Sequence, residues 1–271
     1  MGLSAGSLKR MKAKRTKFAG LVLYDACFAK LAQEAGIEVT VVGDSVGMCV
    51  LGNTTTVATT MDDIVYHVGA VAKGHGEGLL IGDLPFMSYA TPEMAVRNAT
   101  LLMRAGAHMV KLEGGWPWAA ETVAFLVQRG IPVCGHIGLT PQSFHKLGGH
   151  RVQGEVPQEA DRILEEARAL QEAGAEMLVL ECIPEDLAAT IVGSLQIPIM
   201  GAGAGAHCDG QALLAYDVLG LSGNAFGFAR NYLEHGASGP LAAFRQFGEE
   251  VRSGLFPDDE HSFGTEGTKP A

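Results

Sequence analysis

Seven short apolar runs recur along the chain, and each is followed by a stretch with the spacing of a helix. The runs are FAGLVLY (18–24), VTVVGDS (39–45), GLLIGDLPF (78–86), HMVKLEGG (108–115), IPVCGHIG (131–138), AEMLVLECIP (175–184) and IPIMGAG (197–203). They are almost continuously apolar rather than alternating, as strands covered on both faces require. The alternation therefore predicts a parallel sheet with helices packed against it.

The intervening stretches carry the signals of helix starts and ends. Thr91 precedes Pro92 as a candidate N-cap, and Gly106 stands where that helix should end. Gly130 and Gly174 follow two other helices in the same way. The predicted helices are Met61–Lys73, Pro92–Ala105, Pro117–Arg129, Gln158–Ala173 and Glu185–Leu195.

Polar residues collect at the ends of many different strands, which favours a closed barrel over an open sheet. In open sheets the ligand-binding residues lie at one switch point in the strand order. In (β/α)8 barrels the catalytic residues come from the carboxyl ends of several strands. We therefore predict a single-domain α/β protein, a (β/α)8 TIM barrel over residues 1–263. Its eighth strand is expected near Asp217–Leu221, and 264–271 is expected to be a disordered tail.

Composition excludes several classes of protein. Among the 271 residues, 47% are apolar and 18% charged, which argues against a disordered chain, and no apolar run approaches the length of a membrane span. The formal net charge of −10 makes nucleic acid an unsuitable partner. The five scattered cysteines indicate neither disulfides nor a zinc site, so we expect a cytoplasmic protein.

Basic residues are concentrated in one N-terminal segment, Lys9–Lys17, within residues 1–17. This segment could bind phosphate as a mobile arm. A solvated and partly frayed chain end is the interpretation that we favour.

Five strands are followed by an acidic residue. These are Asp25, Asp44, Asp83, Glu113 and Glu181. Parallel strands of a barrel end at one face, so the acids should gather there and need neutralisation by a cation, by protons or by basic groups. Mg²⁺ suits ligation by oxygen, and Asp44, Asp83 and Glu113 follow consecutive strands. The alternative for any single acid is that it caps the following helix.

Three further side chains belong to the same strand ends. Lys111 lies two residues before Glu113, so both should face one side of the strand. It could anchor a carboxylate, form a Schiff base or make a surface ion pair. His136 could donate a hydrogen bond, shuttle a proton, bind metal or simply fill the core. Glu181 should lie across the barrel mouth from the metal acids and could act as a general base.

The glycine-rich segment GAGAG (201–205) follows the seventh strand. It could expose backbone N–H groups to a phosphate, or its glycines could permit close packing.

Several long strings resemble the ketopantoate hydroxymethyltransferase family. They are GDS-GM (43–48), DLPFMSYATPE (83–93), RAGAHMVKLEGG (104–115), VCGHIGLTPQS (133–143) and LVLECIP (178–184). The resemblance implies a Mg²⁺-dependent enzyme that makes ketopantoate from 3-methyl-2-oxobutanoate and 5,10-methylenetetrahydrofolate, the first step of pantothenate biosynthesis. It implies Asp44, Asp83 and Glu113 as metal ligands, and Glu181 as the base. Contacts to the oxo acid are implied for Asp44, Ser45, Asp83 and Lys111.

The resemblance also implies secondary site residues and an assembly. Tyr24, His136 and His261 match family features, and the family forms homo-oligomers, commonly decamers. This chain departs from the family in two places: Phe226 and Gly227 replace a proline–lysine pair, and GAGAG replaces GIGAG. These departures bear on folate and oligomer contacts rather than on the metal site.

Two other functions are compatible with a barrel. A Mg²⁺-dependent enzyme like phosphoenolpyruvate mutase or isocitrate lyase would need a nucleophilic cysteine in a lid motif, whereas Cys134 and Cys182 lie on predicted strands. A non-enzymatic binding or scaffold barrel would be expected to lack some site residues, and every expected metal and base residue is present.

Overall fold

Eight parallel strands close into a barrel in the computed structural model, which describes residues 2–222 and 227–264. Each strand pairs with its neighbours in sequence, and β1 pairs with β8. The predicted (β/α)8 barrel is confirmed. The strands are β1 (Phe18–Val22), β2 (Val39–Val42), β3 (Leu79–Asp83), β4 (Met109–Glu113), β5 (Val133–Gly138), β6 (Met177–Glu181), β7 (Ile199–Ala202) and β8 (Gly210–Leu214).

Helices connect the strands and cover the outside of the barrel. They are α1 (Ala5–Ala13), α2 (Ala26–Glu34), α3 (Val46–Cys49), α4 (Met61–Ala72), α5 (Pro92–Ala105), α6 (Pro117–Val127), α7 (Phe144–Leu147), α8 (Pro157–Glu172), α9 (Glu185–Ser194), α10 (Ala215–Val218) and α11 (Pro240–Ser253). All five predicted helices are present, with ends that differ by at most two residues. Among the described residues, no helix is both long enough and apolar enough to cross a lipid bilayer.

Capping explains why α5 has the predicted limits. The Thr91 hydroxyl accepts a hydrogen bond from the Met94 amide at 3.2 Å, and Pro92 occupies the first turn. Gly106 ends the helix in the left-handed region, with φ of 118°, where a side chain would be strained.

Alternate residues of each strand point into the barrel, because side chains on a strand alternate between its two faces. Leu79 and Ile81 belong to the cluster of buried residues that fills the barrel, and Asp83 continues the same row. Met109 belongs to that cluster too, and Lys111 and Glu113 continue its row. The apolar rows that fill the barrel therefore end in polar side chains at its carboxyl end.

The N-terminal basic segment is not frayed. It forms α1, whose Leu8 is fully buried in the cluster that fills the barrel. The Lys12 ammonium pairs with Asp209 at 2.8 Å, and Lys17 donates to two carbonyl oxygens in the segment before β8. The expected fraying was wrong, because the apolar face of α1 covers the amino end of the barrel. Lys9, Arg10, Lys14 and Arg15 are nevertheless exposed to solvent, as expected.

The position predicted for the eighth strand was also wrong. Residues 217–221 lie in α10 and the turn that follows it, whereas β8 is Gly210–Leu214. A Cβ at Gly210 would lie 2.4 Å from the Phe18 ring, so the strand has to begin with glycine. This glycine and Gln211 interrupt the apolar character of β8 at its start. The predicted tail lies outside the described residues except for Gly264, and so does Phe226.

Candidate active site

A cavity of about 420 Å³ opens at the carboxyl ends of the strands. Ligand-binding clefts commonly range from about 300 to 1,000 Å³. Seven of the predicted site residues line this cavity: Asp44, Ser45, Asp83, Lys111, Glu113, His136 and Glu181. The barrel has therefore brought together residues from five strands and the segments that follow them.

Three buried carboxylates form the predicted acidic group. One oxygen from each of Asp44, Asp83 and Glu113 lies within 4.8 Å of the other two, close enough to share one ion. The Asp44 amide donates to Asp83 Oδ2 at 3.2 Å, and the Gln142 amide donates to Glu113 Oε2 at 2.9 Å. These backbone donors hold the carboxylates of Asp83 and Glu113 and satisfy one oxygen atom of each.

The remaining oxygens of these three carboxylates are available to ligate a cation. Asp44 Oδ2, Asp83 Oδ1 and Glu113 Oε1 are buried without a hydrogen-bond donor. Within residues 2–222 and 227–264, the only ammonium that pairs with these carboxylates is that of Lys111, which lies 2.9 Å from Asp83 Oδ2 and 3.8 Å from Glu113 Oε1. Three carboxylates thus face a single positive charge. An all-oxygen set of this kind fits a hard divalent cation such as Mg²⁺.

The acidity of these groups is strongly perturbed. Burial and the neighbouring charge of Asp83 raise the pKa of Asp44 to about 7. Burial also holds the pKa of Glu113 well above its usual range. Burial alone would lower the pKa of Lys111, but Asp83, Glu113 and Asp44 raise it above the usual value. Lys111 is therefore a permanent cation, and a Schiff base would require its neutral amine.

His136 links Lys111 to Glu181. Its Nδ1 lies 3.3 Å from the Lys111 ammonium, which can only donate, so Nδ1 accepts. Burial and the charge of Lys111 lower the pKa of His136, which favours the neutral ring with its proton on Nε2. Nε2 lies 3.1 Å from Glu181 Oε2, although the contact is outside hydrogen-bonding geometry.

Tyr24 contacts the site through Ser45. Its buried hydroxyl donates to the Ser45 hydroxyl at 2.8 Å, and Ser45 lines the cavity directly after Asp44. The predicted contribution of Tyr24 is thus an indirect one, through the orientation of Ser45.

Gln142 was absent from the predicted site residues. Its side-chain amide donates to the Leu84 carbonyl at 2.9 Å, and its carbonyl accepts a hydrogen bond from Tyr89. Together with its backbone contact to Glu113, these bonds join three loops at the metal group. Gln142 lies in the string VCGHIGLTPQS (133–143), which is similar to the family. That similarity was the signal that could have identified this residue.

Two predicted residues lie away from the cavity. His261 pairs with Asp258 and Arg230 and is not part of the cavity wall. Asp25 does not join the other strand-end acids, because its Oδ1 accepts from the amides of Cys27 and Phe28 and caps α2. For Asp25, helix capping is the correct interpretation.

The GAGAG segment is explained by packing. A Cβ at Gly203 would lie 2.7 Å from the Phe228 ring, and one at Gly205 would lie 2.3 Å from the Glu185 side chain. Both glycines also have positive φ, of 65° and 73°. Close approach therefore accounts for these glycines without a bound phosphate.

Comparison with known sequences identifies relatives over nearly the whole chain. The family model described as ketopantoate hydroxymethyltransferase matches residues 3–259. A 3-methyl-2-oxobutanoate hydroxymethyltransferase from Saccharophagus degradans is 48% identical, with 96% of each chain covered. One from a Shewanella species (strain MR-4) is 52% identical over 96% of this chain and 98% of its own.

Solved structures with similar folds are more distant in sequence. A putative phosphonomutase from Burkholderia cenocepacia has a TM-score of 0.62 at 17% identity, covering 80% of this chain and 94% of its own. A phosphonopyruvate hydrolase in complex with oxalate and Mg²⁺ has a TM-score of 0.56 at 15% identity. The match covers 73% of this chain and 71% of that hydrolase chain. At these identities the similarity shows the shared barrel fold alone.

Proposed function

Because the chain belongs to the ketopantoate hydroxymethyltransferase family, we propose that it transfers a hydroxymethyl group to 3-methyl-2-oxobutanoate. The donor is 5,10-methylenetetrahydrofolate, and the products are ketopantoate and tetrahydrofolate. This reaction would be the first step of pantothenate biosynthesis.

One observation carries the proposal. The carboxylates of Asp44, Asp83 and Glu113 converge on the wall of the cavity that also exposes Lys111 and Glu181. Their unpartnered oxygens suit Mg²⁺. When bound, the ion supplies positive charge that acidifies the C–H group beside the 2-oxo group of the substrate.

Lys111 and Ser45 would hold the oxo acid. The permanent charge of Lys111 complements the substrate carboxylate, and the buried position of its ammonium strengthens this attraction. The Ser45 hydroxyl accepts from Tyr24, which leaves its own proton for a substrate oxygen. Asp44 and Asp83 border the same space.

Glu181 is the proposed base. It ends β6, across the mouth from the metal group, and its carboxylate lies on the cavity wall. It would take the proton from C3 of the oxo acid, and that carbon would then form the new bond to the methylene carbon of the folate. Both C–N bonds to the methylene carbon would break, one as the new C–C bond forms and the other as water supplies the hydroxyl group. The two nitrogen atoms would take up the C3 proton, returned by Glu181, and one proton of the water, which gives tetrahydrofolate.

His136 would position the base. Lys111 fixes the imidazole tautomer that presents an N–H group to Glu181. A hydrogen bond from this N–H group would hold the carboxylate near the substrate without His136 itself reacting.

The cysteines do not favour the alternative mutase or lyase chemistry. Cys134 and Cys182 are buried, and burial raises the pKa of both thiols. Cys49 lines the cavity, but burial raises its thiol pKa as well. None of them is activated as a thiolate nucleophile.

We further propose a cytoplasmic homo-oligomer of ten subunits, the assembly that the family resemblance implies. The five cysteines are free. Tyr66 on α4 and Leu101 on the adjacent α5 are exposed, at 73% and 40%, and would be covered by a second copy. Light scattering of the purified protein tests the assembly, and a monomer with unchanged activity would contradict it.

The function is tested with the two substrates, in the presence of Mg²⁺ and after its removal by a chelator. We expect ketopantoate only with the metal. Glu181→Gln and Asp83→Asn should each lower turnover at least about tenfold, as expected for loss of a general base or a metal ligand. Glu181→Gln should leave Mg²⁺ binding unchanged.

Asp186→Asn provides the matched control, because this acid is exposed on α9, just after β6. It should retain full turnover. If Glu181→Gln were as active as this control, the assignment of the base would be wrong.

A further inference from the structure

Asp217 is a buried carboxylate in the wall of the cavity that the proposed chemistry does not use. It lies in α10, directly after β8, and is 3% exposed. The metal group, by contrast, comes from β2, β3 and β4. Asp217 therefore lines the same cavity as these three carboxylates but comes from a different part of the barrel.

The only side-chain partner of Asp217 in the described part of the chain is a neutral one. The Ser222 hydroxyl donates to its Oδ1, and no lysine, arginine or histidine pairs with it within residues 2–222 and 227–264. Ser222 lines the cavity too.

An unpaired buried carboxylate is energetically costly unless a donor reaches it. Burial raises the pKa of Asp217 to about 6, although the hydrogen bond from Ser222 acts in the opposite direction. At neutral pH the group therefore remains a buried anion facing an open cavity. This arrangement is typical of a side chain whose partner is a ligand.

We propose that Asp217 binds the 2-amino-4-oxopyrimidine edge of the folate pterin. This inference rests on the proposed function, which requires the cavity to hold a folate beside the oxo acid. The edge carries two adjacent donors, the 2-amino group and the N3–H group, which match the two oxygens of one carboxylate.

The surroundings of Asp217 suit a pterin. Leu213, Leu214 and Phe228 line the same cavity and offer apolar contact to the faces of the ring. Ser222 holds one carboxylate oxygen, which orients the carboxylate toward the cavity. Sites that meet a substrate donor with a buried acceptor discriminate strongly against analogues that lack the donor.

The competing explanation is that Asp217 only stabilises its own turn. Its backbone carbonyl accepts from the Gly220 amide at 2.9 Å, and its side chain contacts Ser222 in the same segment. A structural role of this kind would affect stability and both substrates. It would not discriminate between folates that differ at the 2-position.

The first experiment uses the unaltered protein. We compare the KM for 5,10-methylenetetrahydrofolate with the KM for its 2-desamino analogue. The analogue should have a KM at least about tenfold higher, because a hydrogen bond to a charged group is worth about 1.5–3 kcal/mol. Equal KM values would overturn the proposal, and this result does not depend on any variant folding.

The second experiment uses Asp217→Asn, with Asp25→Asn as the control. Asp25 also follows a strand but lies outside the cavity, and asparagine is a good N-cap. Asp217→Asn should raise the folate KM at least about tenfold and abolish discrimination against the 2-desamino analogue. The control should change neither property.

Exchange of the C3 proton of the oxo acid, followed by NMR in D₂O with Mg²⁺ and without folate, separates the two proposals. Asp217→Asn should exchange this proton at the unaltered rate. No exchange in the unaltered protein would contradict the proposed function. Normal exchange combined with an unchanged folate KM in Asp217→Asn would overturn only the role of Asp217.

Discussion

The imidazole Nε2 of His136 lies 3.1 Å from the carboxylate Oε2 of Glu181, and the two side chains come from the neighbouring strands β5 and β6. On the other side of the ring, Nδ1 faces the Lys111 ammonium. A buried histidine thus connects the proposed base with the proposed carboxylate anchor, and its tautomer is set by a group that can only donate.

This contact predicts different effects for two substitutions of His136. His136→Leu removes the donor to Glu181, so turnover should fall by about tenfold or more. His136→Gln keeps an amide donor and should retain more activity than His136→Leu. Steady-state kinetics and Mg²⁺ titration provide the measurement, and metal affinity should change little in both variants. Full turnover in His136→Leu would show that Glu181 needs no such support.

Divalent metal should stabilise the folded protein. Mg²⁺ at about 100 times its Kd should add about 2.7 kcal/mol to the free energy of unfolding, because the unfolded chain has no site. For a domain of this size, this corresponds to a rise in Tm of about 5 °C. Differential scanning fluorimetry should show the rise in the unaltered protein and in Asp25→Asn, but not in Asp83→Asn. A similar rise in Asp83→Asn would place the ion elsewhere.

The metal-free protein should lose stability as the pH rises from about 4 to 7. Burial and Asp83 raise the pKa of Asp44 from 3.8 to about 7. The folded state therefore holds a proton that the unfolded chain releases, and this contribution is complete below pH 4 and lost as the pH passes 7. Three pKa units correspond to at most about 4 kcal/mol.

Urea unfolding with a chelator, at about pH 5 and pH 8, measures this contribution. The unaltered protein should lose more free energy of unfolding between the two values than Asp44→Asn, whose amide does not titrate. Identical losses would mean that Asp44 has an ordinary pKa.

Helix α1 should contribute to stability and not to catalysis. Leu8 is fully buried against the residues that fill the barrel, so Leu8→Ala should lower the free energy of unfolding by about 2–5 kcal/mol. Lys9→Ala, at an exposed neighbour, should have little effect. Chemical denaturation measures the difference, and KM values should be unchanged in both variants. A loss below about 1 kcal/mol in Leu8→Ala would contradict the role of α1 as a cover.

The sequence by itself determined the barrel class, most element limits and the convergence of Asp44, Asp83 and Glu113 at one end of the barrel. Continuous apolar runs predict buried parallel strands, and the helix signals around Pro92 and Gly106 are local. Because side chains alternate along a strand, Lys111 and Glu113 could be placed on the same face of the strand from spacing alone. These inferences need only neighbours along the chain.

Only the tertiary structure decided which distant groups meet. It showed that Asp25 caps a helix, that Leu8 covers the amino end of the barrel, and that β8 begins at a glycine because Phe18 occupies the space. It also brought His136 to Glu181 and placed Asp217 on the cavity wall. These relationships arise when the barrel closes and joins β1 to β8. They depend on distances through space, which local sequence patterns do not encode.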